Sequence, residues 1–216
     1  MTGIVLMHGW GLGPATWQGW LASFADRPVA VLDAGYFGPA ALTVPHNPDG
    51  WIGIGHSQGF ARLAAMNLPW RALVGIGAFL HFCPIPGHAN GTPPDMLQAM
   101  LDRLESVPAD VLSRFRRRCG LREAGATPAP AGEGLERLRA DLAELMAQNL
   151  CATPACPTLL LHAADDRIAP VALAREAVAR IPGAGLRERS SGGHALPMTR
   201  PGDCLALVQE FLHGLR

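Results

Sequence analysis

The chain has 216 residues, 49% of them hydrophobic and 17% charged, with 18 basic and 18 acidic side chains in balance. That length suits one domain, or one domain with a modest insertion, and supplies enough apolar material for a sizeable core. A formal net charge of zero argues against a nucleic-acid or membrane-surface binder, and no apolar run reaches the length of a membrane span.

Met1 leads almost directly into the apolar run Ile4 to Met7, too short for a signal-peptide core with a cleavage site. The five cysteines (Cys83, Cys119, Cys151, Cys156 and Cys204) are odd in number and form no Cys-x-x-Cys pair. Reduced thiols in a cytoplasmic protein are therefore expected. Ile4 to Met7 reads as a buried parallel strand ending at His8-Gly9-Trp10-Gly11. Thr16 to Phe24 has helical spacing, with Trp17, Trp20, Leu21 and Phe24 on one face. Strands follow at Val29 to Leu32, Trp51 to Ile54 and Leu73 to Ile76, with a helix from Phe60 to Leu68 between the last two. Thr158 to Leu161 and Leu186 to Arg189 complete the strands, and helices are expected at Val171 to Arg180 and Leu205 to Leu212. Strands alternating with helices mean an α/β fold with a mostly parallel sheet.

The stretch 81–153 breaks that rhythm and contains no convincing strand. Three helices are expected there: Pro94 to Glu105, Pro108 to Cys119 with Gly120 as the stop signal, and about Glu133 to Leu150. Gly125 to Gly134 reads as a loop. The domain division is then a core of 1–80 and 154–216 with a helical insertion of 81–153. Such an insertion would overlie the carboxyl ends of the strands, where ligands bind in open α/β sheets, and is a candidate lid.

Gly55-His56-Ser57-Gln58-Gly59 stands between a strand and a helix. A Gly-x-Ser-x-Gly apex in this setting is a nucleophile elbow, whose small flanking residues let strand and helix approach closely. An activated serine needs a base, an orienter for the base and donors for the oxyanion. His194, in the Gly-rich loop Ser190 to Ala195, is the base candidate. Asp165 and Asp166 are the orienter candidates; one of them could instead cap the helix near Pro170. The oxyanion donors would be the backbone N–H groups of Gln58 and of Trp10. Among the remaining histidines, His8 and His56 flank turns and are expected to hydrogen-bond backbone, His213 sits in the last helix, and His46, His81, His88 and His162 show no partner pattern in the sequence. No metal-ligand spacing occurs, so no metal and no cofactor is expected.

The order Ser, Asp, His, the His-Gly-Trp-Gly loop, the Gly-His-Ser-Gln-Gly elbow, the Asp-x-Ile-Ala-Pro loop and the Gly-Gly-His loop resemble the α/β-hydrolase superfamily over nearly the whole chain. The family pattern places Asp166 rather than Asp165 in the acid slot. More narrowly, Leu6 to Leu12 followed by Trp17, and the pattern Pro94, Leu97, Met100, Leu101, Leu104, Val111, Leu112 and Phe115, are similar to the pimeloyl-acyl-carrier-protein methyl ester esterases of biotin synthesis. The resemblance implies cleavage of a methyl ester on a carrier-bound pimeloyl chain, with lid arginines gripping the acidic carrier. Against the family pattern the chain starts at the strand that is normally third, so about six strands rather than eight are expected.

Ser113-Arg114-Phe115-Arg116-Arg117-Arg118 is the densest charge run. Helical spacing turns Arg114, Arg117 and Arg118 away from the apolar face, with Arg116 at its edge. They form either a solvated helix surface or a dock for an acidic carrier protein. Trp10, Phe79, Phe82, Leu97 and Met100 are candidate pocket lining, with ordinary core packing as the alternative for each. Together these features point to a serine carboxylesterase acting as a monomer. A thioesterase, lactonase or carbon–carbon hydrolase would use the same triad, and a non-catalytic small-molecule receptor on this fold also remains open.

Overall fold

Alternation of side chains along the first strand already separates two cores. Ile4 and Leu6 face one side of the sheet, with Trp17, Trp20 and Phe24. Val5 and Met7 face the other, with Phe60, Leu73 and Phe79. A sheet buried on both faces in this way must be covered by helices on both, as parallel sheets are. The computed structural model describes residues 1–122, 129–130, 132–150 and 153–215. The loop expected from Gly125 is therefore described only in part, and Cys151 lies outside the described residues.

Six strands pair in parallel throughout: β1 (Gly3–Met7), β2 (Val29–Leu32), β3 (Trp51–His56), β4 (Trp70–Ile76), β5 (Thr158–Ala163) and β6 (Gly185–Arg189). Their order is β2-β1-β3-β4-β5-β6. The chain leaves β1 to one side and returns over it to β3 on the other. The carboxyl ends of β1 and β3 therefore flank a switch point, where connecting loops diverge and leave a crevice.

Helix α1 (Gln58–Ala65) starts directly behind β3. Between β4 and β5 come α2 (Pro94–Ser106), α3 (Pro108–Arg118) and α4 (Glu133–Ala147). Prolines at the first position of α2 and α3 have no N–H to leave unpaired there. Gly120 ends α3 at a φ of 93°, a conformation that suits glycine. The last helices are α5 (Val171–Arg180), the single turn α6 (Leu196–Thr199) and α7 (Pro201–His213).

The helix expected over Thr16 to Phe24 is instead two short 3-10 turns, Pro14–Trp17 and Leu21–Phe24. The tighter winding brings residues three apart onto one edge. Trp17 and Trp20 thus meet edge to face at 5.3 Å, both fully buried. Among the described residues no helix is long and apolar enough to cross a membrane.

Candidate active site

Ser57 occupies the turn between β3 and α1 at φ 53° and ψ −125°, and among the described residues no other non-glycine has a positive φ. That strain is held in place from both sides. Ser57 donates its N–H to Ile76 O at 2.9 Å. A Cβ on Gly59 would stand 2.3 Å from Met7 O, and one on Gly55 would stand 2.4 Å from Phe60 N. Only glycine at both positions lets β3, α1 and β1 close on the serine. The loop after β1 lies against it too, since a Cβ on Gly9 would stand 2.9 Å from the Ser57 Cβ.

His194 lies on the loop between β6 and α6, which Gly192 (φ 141°) and Gly193 (φ 67°) bend inward. The Nδ1–H of His194 donates to Asp166 Oδ2 at 2.7 Å. Asp166 Oδ1 accepts the N–H groups of Ile168 and Ala169 at 2.8 and 2.9 Å. One carboxylate thus holds its own loop and the imidazole together. Asp165 does neither; it accepts the N–H of Gly193 at 2.9 Å and pins the histidine loop. The α5 helix begins only at Val171, without a side-chain cap.

With Nδ1 donating, the neutral imidazole leaves Nε2 as a proton acceptor. That Nε2 is buried and unpartnered. His194 and Ser57 both pack against the end of β4: Ser57 through Ile76, and His194 where a Cβ on Gly77 would stand 3.2 Å from its Nδ1. No hydrogen bond joins Ser57 to His194 in the structure.

Burial pushes the Asp166 carboxyl up, but the His194 charge and the hydrogen bond from His162 outweigh it and hold the group well below the usual carboxylate range. Asp166 is therefore an anion throughout the physiological range. His56 donates Nε2–H to His194 O at 2.9 Å, and burial followed by the His194 charge pushes its pKa down to about 3. It is a neutral strut beneath the histidine loop.

His162 gains partners only in the fold. Its Nε2 lies 2.7 Å from Ala169 O and 3.3 Å from Asp166 Oδ2, with the side chain fully buried. No spacing signal marked it, because strand residue 162 and loop residue 166 meet only through the bend of the chain. His81 and His88, which show no partner pattern in the sequence, both approach Glu176 Oε2, at 3.2 and 3.4 Å.

Neither the N–H of Trp10 nor that of Gln58 donates to any group among the described residues. Gln58 is the first residue of α1, where helix N–H groups have no partner within the helix. Gln58 follows Ser57 directly and Trp10 lines the same cleft as Ser57, so both residues with unpaired N–H groups border the serine.

Above them opens a cleft of about 410 Å³. Trp10, Ser57, Phe82, Leu97, Met100 and Phe115 are among its lining. Phe79 is not; it is fully buried behind Phe82, with ring centres 4.9 Å apart. Arg114 and Arg118, one turn apart, edge the cleft together with Arg103 and Arg167, and Arg117 is exposed and outside the lining. Arg114 Nε donates to Asp110 at 2.9 Å and Arg118 Nε to Arg167 O at 2.9 Å. Arg116 is half-buried, over the Phe37 ring at 5.2 Å. Cys83, Cys119, Cys156 and Cys204 are free thiols whose pKa burial raises, to about 12 for Cys204. They are poor nucleophiles at neutral pH.

The parallel sheet and the strained serine at its switch point define an α/β-hydrolase fold. The chain is 29% identical, over 98% of its own length and 98% of the other, to a pimeloyl-[acyl-carrier protein] methyl ester esterase of Aromatoleum aromaticum. An esterase from Exiguobacterium antarcticum superposes with a TM-score of 0.78 at 15% identity, covering 98% of this chain and 92% of that one. A bromoperoxidase from Bacillus anthracis does so at 0.76 and 17%, with the same coverage. No protein-family model matches the chain. In fold it is an α/β-hydrolase, and in sequence it is similar to an ester hydrolase over nearly its whole length.

Proposed function

We propose that the chain is a serine carboxylesterase and that its substrate is a pimeloyl-[acyl-carrier protein] methyl ester. In this reading Ser57 Oγ attacks the ester carbonyl carbon while His194 Nε2 takes the hydroxyl proton. The carbonyl oxygen becomes an anion held by the N–H groups of Trp10 and Gln58. Collapse of that intermediate expels the alcohol, to which His194 returns the proton, and leaves an acyl group on Ser57. Water, deprotonated by His194, then releases the acid. Asp166 keeps the imidazole in the required tautomer and stabilises its charged form.

The observation that carries the reading is the buried, partnerless Nε2 of His194, its other nitrogen fixed 2.7 Å from Asp166 and its ring packed beside the strained turn of Ser57. The substrate class draws on three further supports. The cleft is lined by aromatic and aliphatic side chains that suit an acyl chain, and its edge carries Arg103, Arg114 and Arg118, which suit an anionic carrier. The third is the likeness to the Aromatoleum aromaticum protein. The helices between β4 and β5 then act as a lid, and Arg114, Arg117 and Arg118 as the carrier dock.

Stopped-flow assay with p-nitrophenyl butyrate tests the chemistry: a burst of nitrophenol is expected from the wild type and none from Ser57→Ala. Full turnover by Ser57→Ala would remove the serine from the mechanism. Complementation of a biotin auxotroph lacking its methyl esterase tests the substrate, with Ser57→Ala as the negative control. A chain that cleaves nitrophenyl esters but fails to complement, and releases no methanol from the carrier-bound ester, would overturn the substrate assignment alone.

A further inference from the structure

Both residues that border Ser57 with unpaired N–H groups are tied by their side chains to one helix. Trp10 donates its indole Nε1–H to Leu138 O at 2.8 Å. Gln58 donates its side-chain Nε2–H to Asp141 O at 3.1 Å. Residues 138 and 141 lie in the middle of α4 and about one turn apart, so each carbonyl accepts a bond beyond those of the helix itself. The Asp141 side chain adds a third tie, accepting the Tyr36 hydroxyl on Oδ2 at 2.5 Å and pairing through Oδ1 with Arg62 of α1. Tyr36 in turn stands edge-on to His8 at 5.7 Å, next to the Trp10 loop.

On the esterase reading above, we propose that α4 sets the oxyanion hole, with the side chain of Gln58 as a positioning group that fixes the direction of its own backbone N–H. An oxyanion hole works only if its donors are held within about 0.5 Å of their productive positions, about 2.7–3.1 Å from the developing anion. Gly9 and Gly11 flank Trp10, and Gly11 has a φ of 66°; bonds to Gly9 O and Gly11 O hold the loop on either side, and the indole tie fixes Trp10 itself. Anchoring the Trp10 indole and the Gln58 amide to two carbonyls of one rigid helix fixes the spacing between the two N–H groups. Packing alone does not explain Gln58. Its Oε1 is buried without a partner among the described residues, and a buried unpaired acceptor is destabilising. An apolar side chain of similar volume would avoid that cost, so the amide is better explained by what it positions than by stability.

The test is Gln58→Met, which keeps the backbone N–H and the side-chain volume but removes the tie. Four quantities are measured with p-nitrophenyl butyrate as substrate: kcat, KM, the melting temperature and the inhibition constant of an alkyl trifluoromethyl ketone. Addition of Ser57 Oγ to that ketone passes the proton to His194 and leaves an anionic oxygen in the hole. We expect kcat about tenfold lower, KM within about twofold, ketone binding weakened by the same factor as kcat, and no fall in melting temperature. Unchanged kcat, or a lower kcat with undiminished ketone affinity, would overturn the proposal. If Gln58→Met does not fold, Trp10→Phe removes the other tie and is judged by the same ratio of kcat to ketone affinity. Full turnover by Ser57→Ala would instead defeat the esterase reading, so the two failures are distinguishable.

Discussion

Asp166 shows how one side chain can tie two loops together. Its Oδ1 closes the turn at Ile168 and Ala169, and its Oδ2 holds His194. Asp166→Asn keeps the shape but presents an amide where the Nδ1–H donor needs an acceptor. We expect kcat on a nitrophenyl ester to fall about 10⁴-fold, as loss of the orienting carboxylate does elsewhere. The same substitution has a pH signature. Because the folded carboxyl titrates below its ordinary value of 3.8, its contribution to stability is complete above about pH 4 and is lost as pH falls further. Thermal melts between pH 7 and pH 3 should show the gap between wild type and Asp166→Asn narrowing on the acid side. A constant gap would mean that the carboxylate is not held as an anion by folding. At this scale the strained turn at Ser57 and the hydrogen-bonded pair Asp166 and His194 stand where motifs after expected strands placed those residues. His162 was not legible in this way, because its contact with Asp166 exists only once the chain has turned.

Element positions followed from local pattern wherever a core enforced the period. Val29–Leu32 and Val171–Arg180 lie where alternation and helical spacing placed them. The region of Thr16 to Phe24 did not, because burial of Trp17 against Trp20 favoured tighter winding than the spacing implied. The junction of β3 with α1 is the element most constrained by close approach. Gly59→Ala would press a methyl group into backbone carbonyls of β1, at 2.3 Å from Met7 O and 2.6 Å from His8 O. Backbone cannot swing aside as a flexible side chain can, so we expect a loss of about 1–3 kcal/mol or more in urea unfolding, with an unchanged slope. Gly38→Ala, with nothing within 4 Å of the new methyl, is the matched control and should be close to neutral. Equal effects of the two would refute the close-approach argument.

Across the whole molecule, net neutrality conceals a local cluster of arginines, of which Arg103 and Arg114 share Asp110. Arg103, Arg114, Arg118 and Arg167 gather at the cleft edge although basic and acidic totals cancel. If this edge receives an acidic carrier, kcat/KM on the carrier-bound ester should fall steeply between low and physiological salt, while a nitrophenyl ester shows little change. Reversing Arg114 and Arg118 to glutamate should remove that salt dependence. A carrier-bound substrate whose rate ignores both salt and charge reversal would exclude electrostatic docking here. Spacing along α3 could say which arginines avoid the apolar face. It could not say that Arg114 and Arg118 would border the cleft while Arg117 would not, since that depends on where α3 lies against α2 and the β5–α5 loop.

What the sequence determined by itself is the set of chemical groups and the local backbone that presents them. A serine between glycines after a strand, a histidine in a glycine loop and an aspartate before Ile-x-Pro each need only a few neighbouring residues to be recognised. What only the tertiary structure decided is which of these groups meet, and what holds them apart from or against one another. Asp166 took His194 while Asp165 took its loop, and Phe79 fell behind Phe82. α4 reached back over more than 70 residues to anchor Gln58 and over more than 120 to anchor Trp10. Such contacts join residues distant in sequence, and their geometry is set by packing of the sheet and helices together, a property that no local pattern encodes.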